Sequence, residues 1–100
     1  MVKKFDVFLC EIRGAEKPCV VISPDEMNEL LPYVLIVPIT ALKRNFPWRI
    51  GVKLQGRLGQ VALDLMRPVP KERLLKRLGA LPASMQEEIS KLLKDFLIAN

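Results

Sequence analysis

Lys17-Pro18-Cys19-Val20-Val21-Ile22-Ser23-Pro24-Asp25-Glu26 carries a strand and a helix start in ten residues. Cys19 to Ile22 is apolar and mostly β-branched, with no polar residue to mark a wet face. Such a run predicts a central strand buried on both sides. Pro18 is placed at its start, where a missing N–H costs least. Ser23 then reads as an N-cap, Pro24 as the first helical residue and Glu26 as the partner in a capping box. Only one or two turns of helix fit before Pro32.

Working outward, Phe5 to Ile12 alternates as a strand, with Phe5, Val7 and Leu9 on one face and Asp6, Phe8 and Cys10 on the other. Arg13 to Glu16 is a short turn. Tyr33 to Ile39 is a second buried strand, ending in Pro38-Ile39-Thr40. Ala41 to Pro47 is a basic loop. Trp48 to Leu54 alternates again, Gln55 to Gly59 is a turn, and Gln60 to Met66 is a strand carrying Asp64 near its end. Pro70 to Leu74 suits one helical turn, and Leu75 to Leu78 a short strand closed by Gly79. Ser84, with Glu87 completing a capping box, opens the clearest helix. Met85, Ile89, Leu92, Leu93, Phe96 and Leu97 share one face of it. Five or more short strands and one long C-terminal helix predict a mostly β (β-rich α+β) chain. The expected architecture is a small antiparallel barrel plus helix, with residues 1–100 as a single domain.

Lys and Arg outnumber Asp and Glu, 16 to 11, a net charge of +5. That surplus suits an anionic partner, nucleic acid or acidic peptide, although solubility alone explains it equally well. There is no His, which removes the commonest general base and metal ligand. Cys10 and Cys19 sit in separate apolar stretches and fit no zinc spacing; a reduced, buried pair is expected. No metal and no cofactor is called for. Met1 to Ile12 reads as neither signal peptide nor membrane span, so a cytoplasmic protein without membrane contact is expected.

Several segments, in order and at nearly the family's spacing, resemble the MazF/PemK toxin family. Lys4-Phe5-Asp6-Val7-Phe8-Leu9 is similar to the family opening, with Phe5 where Gly is usual. Lys17-Pro18-Cys19-Val20-Val21-Ile22-Ser23 resembles Arg-Pro-x-Val-Val-Ile/Val-Ser, and Val37-Pro38-Ile39-Thr40 resembles Ala/Val-Pro-Ile-Thr. Gly59 to Arg67 resembles Gly-x-Val-x-x-Asp-Gln-x-Arg, with Leu65 where Gln is usual. Arg73-Leu74 and Leu78-Gly79-Ala80-Leu81 match the approach to the last helix.

The resemblance implies an SH3-like, CcdB-like barrel and a toxin that cuts single-stranded mRNA without a metal. The implied products are a 2′,3′-cyclic phosphate and a 5′-hydroxyl. It also implies a homodimer and a cognate acidic antitoxin. By the same resemblance, Lys17 and Thr40 take the positions of the family's catalytic Arg and Thr. A Lys at position 17 keeps a charge for phosphate but not the planar bidentate fork of Arg. The turn before it is short where the family has a longer, Gly-rich loop, and Arg13 stands near enough to substitute. Lys43, Arg44 and Arg49 are candidate RNA-binding cations in a loop interleaved with Phe46 and Trp48, a mixture suited to phosphates and stacked bases. The alternative is that Phe46 and Trp48 are core residues at a strand start, and Trp48 is expected in the core. Asp64 and Arg67 are further RNA-binding candidates, or else a structural ion pair with each other. Two alternatives stand beside the nuclease. One is the same fold binding RNA or antitoxin without cutting. The other is a gyrase poison like CcdB, opposed here by an ending of Phe96-Leu97-Ile98-Ala99-Asn100 rather than Trp-Gly-Ile.

Overall fold

The computed structural model describes the backbone of residues 1–98 and the side chains of residues 1–95. The side chains of Phe96 to Asn100, two of them expected on the inner helix face, lie outside the described residues. The strands are β1 (Asp6–Ile12), β2 (Ala15–Val21), β3 (Tyr33–Thr40), β4 (Arg49–Leu54), β5 (Arg57–Ala62), β6 (Arg67–Pro70) and β7 (Leu74–Ala80). A short helix, α1 (Asp25–Leu30), separates β2 from β3, and α2 (Ala83–Ile98) follows β7. Every strand pairing is antiparallel, in the order β4-β5-β3-β2-β1-β7 with β6 also on β3. The sheet curls into a half-barrel, and the expected mostly β chain with a C-terminal helix is what forms.

β3 is the hub of that curl. Tyr33 to Ile36 pair with β6, while Ile39 and Thr40, on the same strand, pair with β5. β2 takes its other edge, from Val21 opposite Ile36 to Cys19 opposite Pro38. The change of neighbour falls at Val37-Pro38, and a proline has no N–H to commit to either strand. Gly59 permits the second half of this arrangement. A Cβ there would stand 2.9 Å from Ile39 Cγ2 and 3.3 Å from the Thr40 carbonyl oxygen, so β5 reaches β3 only with glycine at this point.

Both faces of the central strands are buried. Val7, Val20, Val37 and Val61 pack with Ile89 of α2, against which Met85, Leu92 and Leu93 also lie. Cys10, Cys19, Val21, Ile36 and Val69 form a second cluster on the other face. Two-sided burial is why Cys19 to Ile22 contains no polar residue. Cys10 and Cys19 are free thiols within it, and burial pushes both above the ordinary thiol range.

Several sequence expectations need correction. The hairpin turns are only two residues long, Arg13-Gly14 (φ 52° and 79°) and Gln55-Gly56 (φ 51° and 80°). Paired positive φ values match the strand twist, as in type I′ turns. Ala15 and Glu16 therefore belong to β2, and Arg57, Leu58 and Gly59 to β5. Pro18 lies inside β2, opposite Leu9. It is tolerated because pairing to β3 ends at Cys19, so the strand beyond is bonded on the β1 side alone. The strand expected over Gln60 to Met66 stops at Ala62, and Leu63–Leu65 is a 3₁₀ turn. β6, with two prolines in four residues, was not expected as a strand; it survives as an edge strand.

Neither capping box forms as read. Pro24, not Ser23, is the N-cap of α1. Ser23 is buried instead, donating its hydroxyl to Asn28 Oδ1 and accepting the Leu35 N–H at 3.1 Å. Asn28 returns a bond to the Ser23 carbonyl at 2.9 Å, so the pair ties α1 to β3. Ser84 sits inside the first turn of α2, whose opening bonds run from Met85 and Gln86 N–H to the Pro82 carbonyl.

Phe5, where the resembling family has Gly, holds a left-handed φ of 72°. Its N–H donates to the Val21 carbonyl and its own carbonyl accepts from Leu81 N–H. A non-glycine residue in this region costs on the order of 1–3 kcal/mol. Burying the ring returns about 1.5–3 kcal/mol, so the substitution is close to neutral. No helix among the described residues is long and apolar enough to cross a membrane.

Candidate functional site

Past Cys19 and Pro38, β2 and β3 no longer pair. Extending their register by two residues would set Lys17 opposite Thr40. The two residues flank the same gap, but each borders a different cavity.

The first cavity, about 610 Å³, is lined by Ile12, Arg13, Lys17, Pro38, Asp64, Leu65, Met66, Arg67 and Pro68. Strand alternation explains the placing of Lys17, which follows Val21 and Cys19 on one face of β2. Arg13 comes from the tight turn, Asp64 from the 3₁₀ turn and Arg67 from the start of β6. The second cavity, about 570 Å³, receives Thr40 together with Glu16, Pro18, Ile39, Arg57 and Leu58 among others. Thr40 Oγ1 accepts the Leu42 N–H at 3.1 Å, which fixes the hydroxyl at the start of the loop.

The structure thus gathers four candidates, Arg13, Lys17, Asp64 and Arg67, around one cavity and sets Thr40 beside it. Lys43, Arg44 and Arg49 line neither cavity. Lys43 and Arg44 are exposed in the loop. The loop is held to β5 where Arg44 N–H donates to Gln60 Oε1 at 2.9 Å and Gln60 Nε2 donates to the Arg44 carbonyl at 3.1 Å.

The ion pair suggested between Asp64 and Arg67 does not form. Asp64 takes Arg49 in a two-pronged contact instead, Nε to Oδ1 at 2.6 Å and Nη2 to Oδ2 at 2.9 Å. The cause is register. Arg49 opposes Ala62, and the turn that follows Ala62 swings Asp64 onto it. Hydrogen bonds from Arg49 hold the Asp64 carboxyl below the usual carboxylate range and raise Arg49 in turn. With that carboxylate already matched, Arg13, Lys17 and Arg67 leave the first cavity net positive.

Phe46 and Trp48 separate in role. Trp48 packs against the core as expected, whereas Phe46 is 43% exposed. Their rings stack, with centroids 5.1 Å apart. Sequence reasoning missed Glu16 and Arg57, which bring charge to the Thr40 cavity. Both have the composition of turn residues but pair within β2 and β5. The available clue was the Arg13-Gly14 and Gln55-Gly56 pairs, each a residue and a glycine between strands, enough for a complete hairpin turn. Among the described residues, no group of three or more His, Cys, Asp or Glu side chains is placed to hold a metal ion.

Comparison with solved structures returns the same fold. An endoribonuclease in complex with its cognate antitoxin, from a Mycobacterial species, superposes with a TM-score of 0.89 at 21% identity, covering 100% of this chain and 98% of that one. MazF in a MazE-MazF complex from Deinococcus radiodurans gives 0.84 at 21% identity, with 99% and 97% covered. The Mycobacterium tuberculosis toxin MazF-mt6 gives 0.82 at 17% identity, with 90% and 93% covered. Comparison with curated protein sequences gave no match. A family model described as PemK-like, MazF-like toxin of type II toxin-antitoxin system matches residues 3–97. With the match running nearly end to end over the fold and motifs above, the chain belongs to the PemK-like, MazF-like toxin family of type II toxin-antitoxin systems.

Proposed function

We propose that this toxin is an endoribonuclease that cuts single-stranded mRNA at selected sequences without a metal. The observation that carries the reading is the cavity with Arg13, Lys17 and Arg67 on its wall, beside the gap that Thr40 borders. In the proposed reaction a ribose 2′-oxygen forms a bond to the adjacent phosphorus, and the bond from phosphorus to the 5′-oxygen breaks. The 2′-proton leaves to a base and a proton arrives at the 5′-oxygen, giving a 2′,3′-cyclic phosphate and a 5′-hydroxyl. Lys17 and Arg13 stabilise the extra negative charge of the pentacoordinate phosphorus, and Thr40 orients the phosphate. Arg67, Lys43 and Arg44 hold neighbouring phosphates. Asp64 and Arg49 act as a pair that shapes the cavity wall.

The same reading has residues 1–100 acting as one domain, as a homodimer in the cytoplasm. An acidic antitoxin segment would compete for the positive cavity. The antitoxin complexes of structurally similar toxins support this. A second reading, binding without cutting, draws on Lys17 in place of Arg and on the two-residue turn. The test is incubation of a long mixed-sequence RNA with purified protein in EDTA, followed by analysis of the ends. Cyclic phosphate ends are expected. RNA binding without cleavage would favour the second reading, and cleavage that depends strictly on added divalent metal would overturn the mechanism.

A further inference from the structure

We infer that Phe46 is a stacking platform for one unpaired base of the bound strand, set beside the cation cavity; this rests on the proposed reading of that cavity as an RNA phosphate site. Phe46 is an aromatic residue in a loop, yet its position is fixed from three directions. Below it, Trp48 stacks at 5.1 Å and an interplanar angle of 21°, and Trp48 itself packs against the main core. The backbone closes a turn beneath it, Arg49 N–H donating to the Phe46 carbonyl at 3.1 Å. The Arg49 guanidinium lies over the ring, 5.8 Å from its centroid. That is near the outer limit of a cation–π contact, and Asp64 rather than the ring sets its place. The ring residue nevertheless keeps 43% of its surface open.

Asp64, which grips Arg49, also lines the cavity of Arg13, Lys17 and Arg67. Phe46, Arg49 and Asp64 form a continuous line of contacts from a partly exposed aromatic residue to that cavity. Flat π-surfaces alternating with anions along a flexible chain are the chemistry of single-stranded nucleic acid. An acidic peptide offers the anions without the bases. A stacking platform is tolerant of sequence, and it provides grip where the two-residue Arg13-Gly14 turn offers few groups to read base edges.

Trp48 is the only tryptophan, so its emission reports directly on the ring stacked against it. The probe is a mixed-sequence RNA octamer with every 2′-hydroxyl methylated, which cannot be cut by 2′-attack. Binding is expected to change Trp48 emission. Phe46→Leu should weaken affinity roughly 5- to 150-fold, the range for loss of one base–aromatic stack, with an unchanged salt dependence. Phe46→Tyr, which keeps a π-face, should stay within about twofold of wild type. Lys17→Ala should instead lower the salt slope by about one ion. Circular dichroism checks that each variant folds. If Phe46→Leu binds as tightly as wild type while Lys17→Ala weakens binding, the platform is refuted and the RNA reading stands. If wild type does not bind the octamer, both fall. If Phe46→Leu loses a glutamate-rich peptide but not the octamer, the ring serves a protein partner and the inference is overturned.

Discussion

Replacing Asp64 with Asn strands a guanidinium that has little access to water. The Arg49 side chain is 7% exposed and Asp64 is 27% exposed. Asn keeps one acceptor, so one of the two bonds survives in neutral form. Hydrogen bonds to charged groups contribute about 1.5–3 kcal/mol, and breaking a fully buried ion pair costs about 3–5 kcal/mol. Because water reaches roughly a quarter of the Asp64 side chain, the lower range applies, and the expected loss is about 1.5–2.5 kcal/mol. For a domain of this size that lowers Tm by roughly 10 °C. Arg49→Met removes the stranded charge, so Arg49→Met/Asp64→Asn should be more stable than the sum of the single losses predicts. A coupling of about 1–2 kcal/mol by urea denaturation is expected. The pair also sets an acid limit. Arg49 holds the folded carboxyl below its unfolded value, so the stabilisation is complete above about pH 4 and is lost as pH falls through the lowered folded pKa. Asp64→Asn should lack that acid limb. A loss under about 0.5 kcal/mol with no coupling would refute the claim that this pair holds the cavity wall.

Thr40→Val is expected to reduce single-turnover cleavage at least tenfold with little change in Tm, since the side chains are nearly isosteric and Thr40 is only half-buried; normal cutting by the folded variant would remove the hydroxyl from the site. Alkaline unfolding tests the thiol pair. Burial raises both folded thiols, so stability should be full below about pH 8.5, the unfolded thiol value, and decline as pH rises from there toward the folded values. Cys10→Ala/Cys19→Ala should flatten that decline in urea titrations at pH 7 to 10, and an unchanged slope would contradict it.

The buried strands were legible because two-sided burial leaves an unbroken apolar run, and Cys19 to Ile22 and Val34 to Ile39 show it. The inner face of α2 was legible from the spacing of Met85, Ile89, Leu92 and Leu93. Turn lengths were not, since Ala15, Glu16, Arg57 and Gly59 have turn-like composition but extended pairing. Arg67 to Pro70 was hidden by its prolines, which exclude a central strand but not an edge. The cations were legible as a set, whereas their partners were not. Asp64 meets Arg49 rather than Arg67 because of the β4–β5 register, and nothing local to Asp64 encodes that register. Ser23 looked like a helix cap because a cap and a buried tie to Asn28 use the same hydroxyl.

The central claim is that the cavity of Arg13, Lys17 and Arg67 holds the scissile phosphate, and the direct measurement is single-turnover cleavage of one short RNA in EDTA by Lys17→Arg, Lys17→Ala and Arg13→Ala, each checked for folding. Lys17→Arg should speed cleavage by restoring a bidentate contact. Lys17→Ala should slow it about ten- to hundredfold, the effect of losing a charged phosphate contact of roughly 1.5–3 kcal/mol in the transition state. If Lys17→Ala is silent and Arg13→Ala is slow, the turn arginine carries the contact from the same cavity. Cleavage at the wild-type rate by all three variants would contradict the account.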